Sequence, residues 1–167
     1  VNLPQHVVRC ICSGTNYPRP KICWGDNGFQ EKGKQVKLKA QPGETVKAVV
    51  VDDCLLSGPK IKKCDGLFIF ERSNNRIYIV LVELKGTHIE DAFTQLAFVR
   101  QCQEYKCIVK CFARTPRPIE RAFIITGPMP LPSLRQQNML AQEYGIKVNI
   151  ILSQKTKDKA PDLRDSL

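Results

Sequence analysis

Two apolar runs around a short polar break dominate the pattern of this chain. Gly66-Leu67-Phe68-Ile69-Phe70 gives way to Glu71-Arg72-Ser73-Asn74-Asn75, and Ile77-Tyr78-Ile79-Val80-Leu81-Val82 follows. Aromatic and β-branched residues suit a pleated, buried surface, and an Asn-containing break between two such runs predicts an antiparallel hairpin. Upstream, Val46-Lys47-Ala48-Val49-Val50-Val51 reads as a further strand or the end of a helix. Downstream, Ile89, Ala92, Phe93, Leu96, Val99 and Cys102 recur near helical spacing, predicting an amphipathic helix over residues 88–105. Residues 107–112 read as a short strand. Residues 120–126 read as a buried strand, stopped by Gly127-Pro128. Ser133 ahead of a helix-forming run predicts an N-cap and a helix through Tyr144; Gly145 ends it, and residues 146–152 form the last strand.

Strand, hairpin, helix, strand, helix, strand is the order of an α/β protein, a mixed central β-sheet flanked by helices. Residues 46–153 form this core. Residues 1–45, with Pro, Gly, Lys and three cysteines and only short apolar runs, predict an irregular segment packed on it, holding at most one helix or short strands. The polar residues 154–167 predict a flexible C-terminal tail. There is no internal repeat and no second domain.

The hairpin has a chemical consequence. Its strands run in opposite directions, so the start of the first lies beside the end of the second. Asp65 thus approaches Glu83 and Lys85, and the last two, being two apart, share a face. Each feature alone is an ordinary salt-bridged strand end. Together, two carboxylates and an ammonium at one end of a hairpin make a small divalent-metal site with a cationic partner. The apolar run before Glu83 adds to this, because charges that follow a buried run are costly unless paired or metal-bound.

This constellation resembles the PD-(D/E)XK nuclease superfamily. Asp65 matches the first acidic position and Glu83-Leu84-Lys85 the E-x-K, while Gly86 and then Ala92, Gln95 and Leu96 resemble the helix that follows the motif. Cys64 stands where the motif's name has proline. The resemblance spans roughly residues 46–126. It implies a restriction-endonuclease-like core and a Mg²⁺-dependent (or Mn²⁺-dependent) nuclease, an endonuclease acting on DNA, working as a homodimer. Asp65, Glu83 and the backbone carbonyl of Leu84 would hold the metal, since hard oxygen ligands suit Mg²⁺. Lys85 would steady the attacking water and the developing charge on the phosphate. Gln95 would orient Lys85, a phosphate or a metal-bound water.

Charge agrees with that expectation. Lys and Arg number 26 against 16 Asp and Glu, a net charge of +10 with a pI near 9.3. Such an excess favours polyanionic partners, nucleic acid above all, although a merely basic surface would show the same balance. Lys60, Lys62 and Lys63 just ahead of Asp65, with Arg114 and Arg117 later, are the candidate phosphate contacts. No stretch has the apolar length to span a bilayer, and the first residues lack the basic start and apolar middle of a signal peptide. A cytoplasmic protein is therefore expected, its eight cysteines free thiols or metal ligands rather than disulfides. His6, Cys10, Cys12 and Cys23 are residue types that suit a structural Zn²⁺, though Cys-x-Cys is tighter than the common knuckle. Two other readings stand beside the nuclease: a non-catalytic nucleic-acid-binding module on the same fold, or a cysteine- and zinc-stabilised interaction protein. Glu44, Asp52, Asp53 and His88 read as ordinary turn, surface or helix-start residues as readily as site residues.

Overall fold

A computed structural model describes residues 2–15, 18–58, 62–85, 88–113, 117–128, 130–152 and 160–167. A five-stranded mixed sheet forms the centre, built from β3 (Thr45–Val50), β4 (Gly66–Glu71), β5 (Ile77–Lys85), β6 (Ile119–Thr126) and β7 (Asn149–Leu152), adjacent in that order. β3, β4 and β5 are antiparallel; β5, β6 and β7 are parallel. The switch falls at β5, because a tight turn can return the chain only antiparallel. The parallel step needs the helical crossover α2 (Ile89–Gln101) and α3 (Gln103–Cys111). The turn from β4 to β5 closes through the Arg72 N–H on the Arg76 carbonyl at 2.8 Å. Asn75 takes φ +60° there, a left-handed conformation that asparagine tolerates better than most residues.

The central strands are buried on both faces, which is why β4 and β5 read as near-continuous apolar runs. Alternate side chains serve two cores. Leu67, Ile69, Ile79, Leu81, Ala122 and Ile124 meet α2 and α3 through Phe93, Leu96, Tyr105 and Ile108. Phe68, Phe70, Val80, Val82, Phe123 and Ile125 pack on the opposite face. That second face is covered by a small hairpin, β1 (Gly28–Glu31) with β2 (Lys34–Lys37). Phe29 anchors it, its ring centroid 4.8 Å from that of Phe68. Each such fully buried side chain contributes about 1.5–3 kcal/mol. Gly66 is required beneath it: a Cβ there would sit 2.5 Å from the Phe29 ring. Helix α4 (Leu134–Tyr144) begins as the sequence predicts, with Ser133 and Gln136 forming a reciprocal capping box, and ends at Gly145 in the left-handed conformation.

Three expectations need correction. Residues 107–111 belong to α3, with Phe112 as its C-cap, and not to a strand; Tyr105, Ile108 and Phe112 lie at helical spacing and are buried together. The predicted helix over 88–105 is broken at Cys102, whose extended backbone (φ −66°, ψ 150°) separates α2 from α3. Residues 1–45 hold one helix and short strands, as expected: α1 (Gln5–Val8), the small hairpin, and a short addition to the edge of β3. There the Cys12 N–H donates to the Ala48 carbonyl and the Val50 N–H to the Cys10 carbonyl. The end of the chain is docked rather than flexible. Leu163 is fully buried in a 3₁₀ turn, Leu163–Ser166, and Arg164 forms an ion pair with Glu44 and a 3.0 Å bond to Gln41. Residues 153–159 lie outside the described residues.

The cysteines also depart from expectation. Cys10 is bonded to Cys54 and Cys12 to Cys23, with Cα–Cα distances of 5.6 and 5.4 Å. A disulfide sulfur offers no thiolate, so the zinc site expected from His6, Cys10, Cys12 and Cys23 does not form; His6 is exposed on α1. Disulfides persist in oxidising surroundings, so the cytoplasmic expectation loses the reduced-thiol argument that accompanied it. Cys64, Cys102, Cys107 and Cys111 are free. No helix among the described residues is long and apolar enough to cross a membrane.

Candidate active site

The β4–β5 ladder ends with Gly66 opposite Val82. One step further in the same register sets Asp65 opposite Glu83, and two residues on lies Lys85. By the two-residue period from Leu67 and Leu81, all three side chains face the helical layer. There α2 supplies Gln95, nearly two turns beyond the helix start.

The contacts join these groups. Lys85 Nζ donates to Gln95 Oε1 at 2.9 Å and stands 3.9 Å from Glu83 Oε1. Gln95 Nε2 donates to the Lys63 carbonyl at 2.8 Å. The Leu84 N–H donates to Asp65 Oδ2 at 2.5 Å, and the Val51 N–H donates to the Asp65 carbonyl at 3.0 Å. The site is thus braced from β3, β5 and α2 together. Leu84 lies between the two motif residues; its carbonyl is the backbone oxygen nearest them in the chain.

Asp65 is 7% exposed and Glu83 3%. Both carboxyls are pushed above their ordinary values. For Glu83 burial is the main cause, then the Asp65 charge, with Lys85 opposing both. For Asp65 burial again leads, the Leu84 N–H opposes it, and the charges of Glu31 and Asp52 add to it. Like charges directly across a ladder are destabilising in any sheet, and burial magnifies this. With both groups ionised, Glu83 Oε2 has no hydrogen-bond partner although it is buried. One shared proton lets the carboxyls bond to each other.

Such a pair, with an orphaned oxygen, fits a divalent cation: the cation would supply the charge that both carboxylates lack. Among the described residues, no three His, Cys, Asp or Glu side chains converge on one ion position. A metal here would rest on two carboxylates, with backbone oxygen and water completing its shell, a donor set that Mg²⁺ accepts.

The other expected residues divide. Lys63 sits beside the site but is not a phosphate contact. Its side chain is 6% exposed, with Nζ 2.7 Å from Asp52 and 3.0 Å from Asp53. Its charge is therefore spent internally. Lys62 is exposed next to it. Lys60 and Arg114 lie outside the described residues, as does Gly86. Arg117 is exposed, 3.8 Å from Glu120, at the far end of the sheet. Glu44 serves Arg164, not the site. A cavity of about 640 Å³ is also at that far end, lined by Arg100, Tyr105, Lys106, Lys110 and Glu120 among others. Glu120 pairs with Ile79, four residues before Glu83, or roughly 13 Å along the strand. The cavity and the carboxylate cluster are therefore separate places on the sheet. Sequence reasoning missed the Asp52–Asp53–Lys63 cluster and the approach of Glu31 to Asp65; the adjacent aspartates were its only visible signal.

Comparison with protein-family models, curated proteins and solved structures finds no match to this chain.

Proposed function

We propose that this protein is a metal-dependent nuclease that hydrolyses phosphodiester bonds, a DNA endonuclease on a restriction-endonuclease-like core. The observation that carries the reading is the buried Asp65–Glu83 pair with an unsatisfied oxygen, set beside a lysine held by its own glutamine. A structural salt bridge would have no use for two facing acids. The sheet order, with the motif on its antiparallel hairpin and α2 directly after it, agrees with the core that the motif implies.

Asp65, Glu83 and the Leu84 carbonyl would hold Mg²⁺ or Mn²⁺, the metal expected from the motif. When bound, such an ion neutralises the scissile phosphate and acidifies water. Lys85, 23% exposed, reaches solvent, whereas the two carboxyls are buried. Its ammonium would meet a phosphate oxygen as negative charge develops there. Gln95 fixes that ammonium through one bond and fixes itself to the Lys63 carbonyl through the other, so the lysine is oriented before the substrate arrives. The net charge of +10 draws the polyanion toward the surface.

The test is cleavage of supercoiled plasmid, linear duplex and single strand in Mg²⁺, Mn²⁺ and EDTA. Wild type should relax or linearise the closed circle only with metal, and Asp65→Asn and Lys85→Ala should each lose about 10²-fold or more. Equal cleavage by wild type and both variants, or none from any substrate under any metal, would refute the nuclease.

A further inference from the structure

A chain of contacts leads from a disulfide to Lys85. Cys54 is bonded to Cys10, and Cys10 is itself fixed on the sheet edge by its carbonyl, which accepts the Val50 N–H at 2.8 Å. The loop after β3 is pinned at Cys54. The two residues before it, Asp52 and Asp53, grip Lys63 Nζ at 2.7 and 3.0 Å. Asp53 holds φ +56°, a left-handed conformation that aspartate tolerates better than most residues. The Lys63 carbonyl then accepts from Gln95 at 2.8 Å, and Gln95 accepts from Lys85 at 2.9 Å.

The middle of this chain does not fit a surface role. The Lys63 side chain is 6% exposed, whereas Asp53 is 87% exposed. A lysine buried to that degree needs its partners, so the two aspartates fix where residue 63 lies. Its carbonyl, a single acceptor, in turn decides which way the Gln95 amide faces. Were that acceptor to move, Gln95 would be free to turn and Lys85 would lose its 2.9 Å acceptor; Glu83 Oε1, its ion-pair partner among the described residues, is 3.9 Å away.

We infer that Asp52, Asp53 and Lys63 are positioning residues for Lys85, and that the Cys10–Cys54 disulfide regulates the site by holding their loop in place. The inference rests on the nuclease reading for its meaning, since Lys85 is the lysine that cleavage would use. Reduction by a dithiol breaks the S–S bond with two electrons and two protons. It leaves two thiols here and a disulfide in the reagent.

The experiment is trace acetylation at one fixed pH, with the labelling of Lys85 read by mass spectrometry against exposed Lys106 and Lys110 in the same digest. Asp52→Asn/Asp53→Asn, Lys63→Met, Cys10→Ser/Cys54→Ser and dithiol-treated wild type should each raise relative labelling of Lys85 about tenfold, the scale of one charge-assisted hydrogen bond. Lys63→Arg should restore the wild-type value. Labelling within twofold of wild type in folded Asp52→Asn/Asp53→Asn and Cys10→Ser/Cys54→Ser proteins would overturn the relay. The aspartate variant decides the matter where Lys63→Met fails to fold, because both aspartates reach solvent. This readout needs no cleavage. Inactive wild type with the labelling change present would refute the nuclease and keep the relay. If wild type is active, the same variants should lower kcat with KM little changed; a KM effect alone would count against positioning.

Discussion

Glu83→Gln should stabilise the metal-free protein at neutral pH. In the folded state Asp65 and Glu83 face each other out of water, and both titrate above their ordinary values of 3.8 and 4.5. The folded pair therefore retains a proton that the unfolded chain has already released. Stability changes with pH as the difference in bound protons, unfolded minus folded. That difference is negative here, so stability falls as pH rises from about 5 through neutrality. One proton over two pH units amounts to about 2.7 kcal/mol. Glutamine carries no charge in either state, and its amide can donate to Asp65 as the shared proton did. At pH 7 the variant should thus exceed wild type by about 2–3 kcal/mol, or roughly 5–10 °C in Tm for a chain of this size. The assay is urea and thermal unfolding in EDTA between pH 5 and 8. Wild type should slope downward and Glu83→Gln should be flatter. Adding Mg²⁺ should reverse the ranking, since at a hundred times Kd bound metal contributes about 2.7 kcal/mol. A variant no more stable than wild type at pH 7 in EDTA, with wild type level across the range, would refute the reasoning. It would mean that the pair ionises in the folded protein without cost.

Two further substitutions probe the frame around the site. Gly66→Ala would press a methyl group into the Phe29 ring. It should cost about 1–3 kcal/mol by urea unfolding, and Phe29→Leu in the same chain should recover part of the loss. Arg164→Ala removes the guanidinium that holds the Glu44 carboxyl below its ordinary value of 4.5. A depressed carboxyl contributes its stability in full above that ordinary value and loses it as pH falls below it through the lower value of the folded state. The urea midpoint should therefore drop at pH 7 and drop less in acid, once the carboxyl is protonated; an equal loss in both would assign the effect to packing alone.

The legible parts of this protein share a physical origin. Leu67 to Phe70 and Ile77 to Val82 declare themselves because a strand buried on both faces needs an unbroken apolar run. Asn74-Asn75 marks the turn because asparagine accepts a positive φ. Ser133 and Gln136 announce α4 because a cap is a bond between residues three apart. Even the meeting of Asp65 with Glu83 could be read in advance, since an antiparallel turn reflects one strand onto the next. Elsewhere local pattern misleads. Ile108-Val109 favours a strand on propensity, yet the burial of Tyr105, Ile108 and Phe112 on one side makes a helix of that segment. The polar end of the chain hides Leu163, whose socket among Phe68, Phe70 and Val36 exists only once the sheet has formed.

What the sequence determined by itself is the strands β4, β5 and β6, helix α4, the central hairpin, and the two acids and lysine it gathers, because these follow from spacing within a few residues or across a single turn. Tertiary structure alone decided that Cys10 finds Cys54 across 44 residues, that Arg164 finds Glu44, and that Lys63 turns inward to the aspartates instead of outward to a phosphate. Those choices depend on where distant segments come to lie and on which charges burial forces into pairs. No local periodicity encodes either.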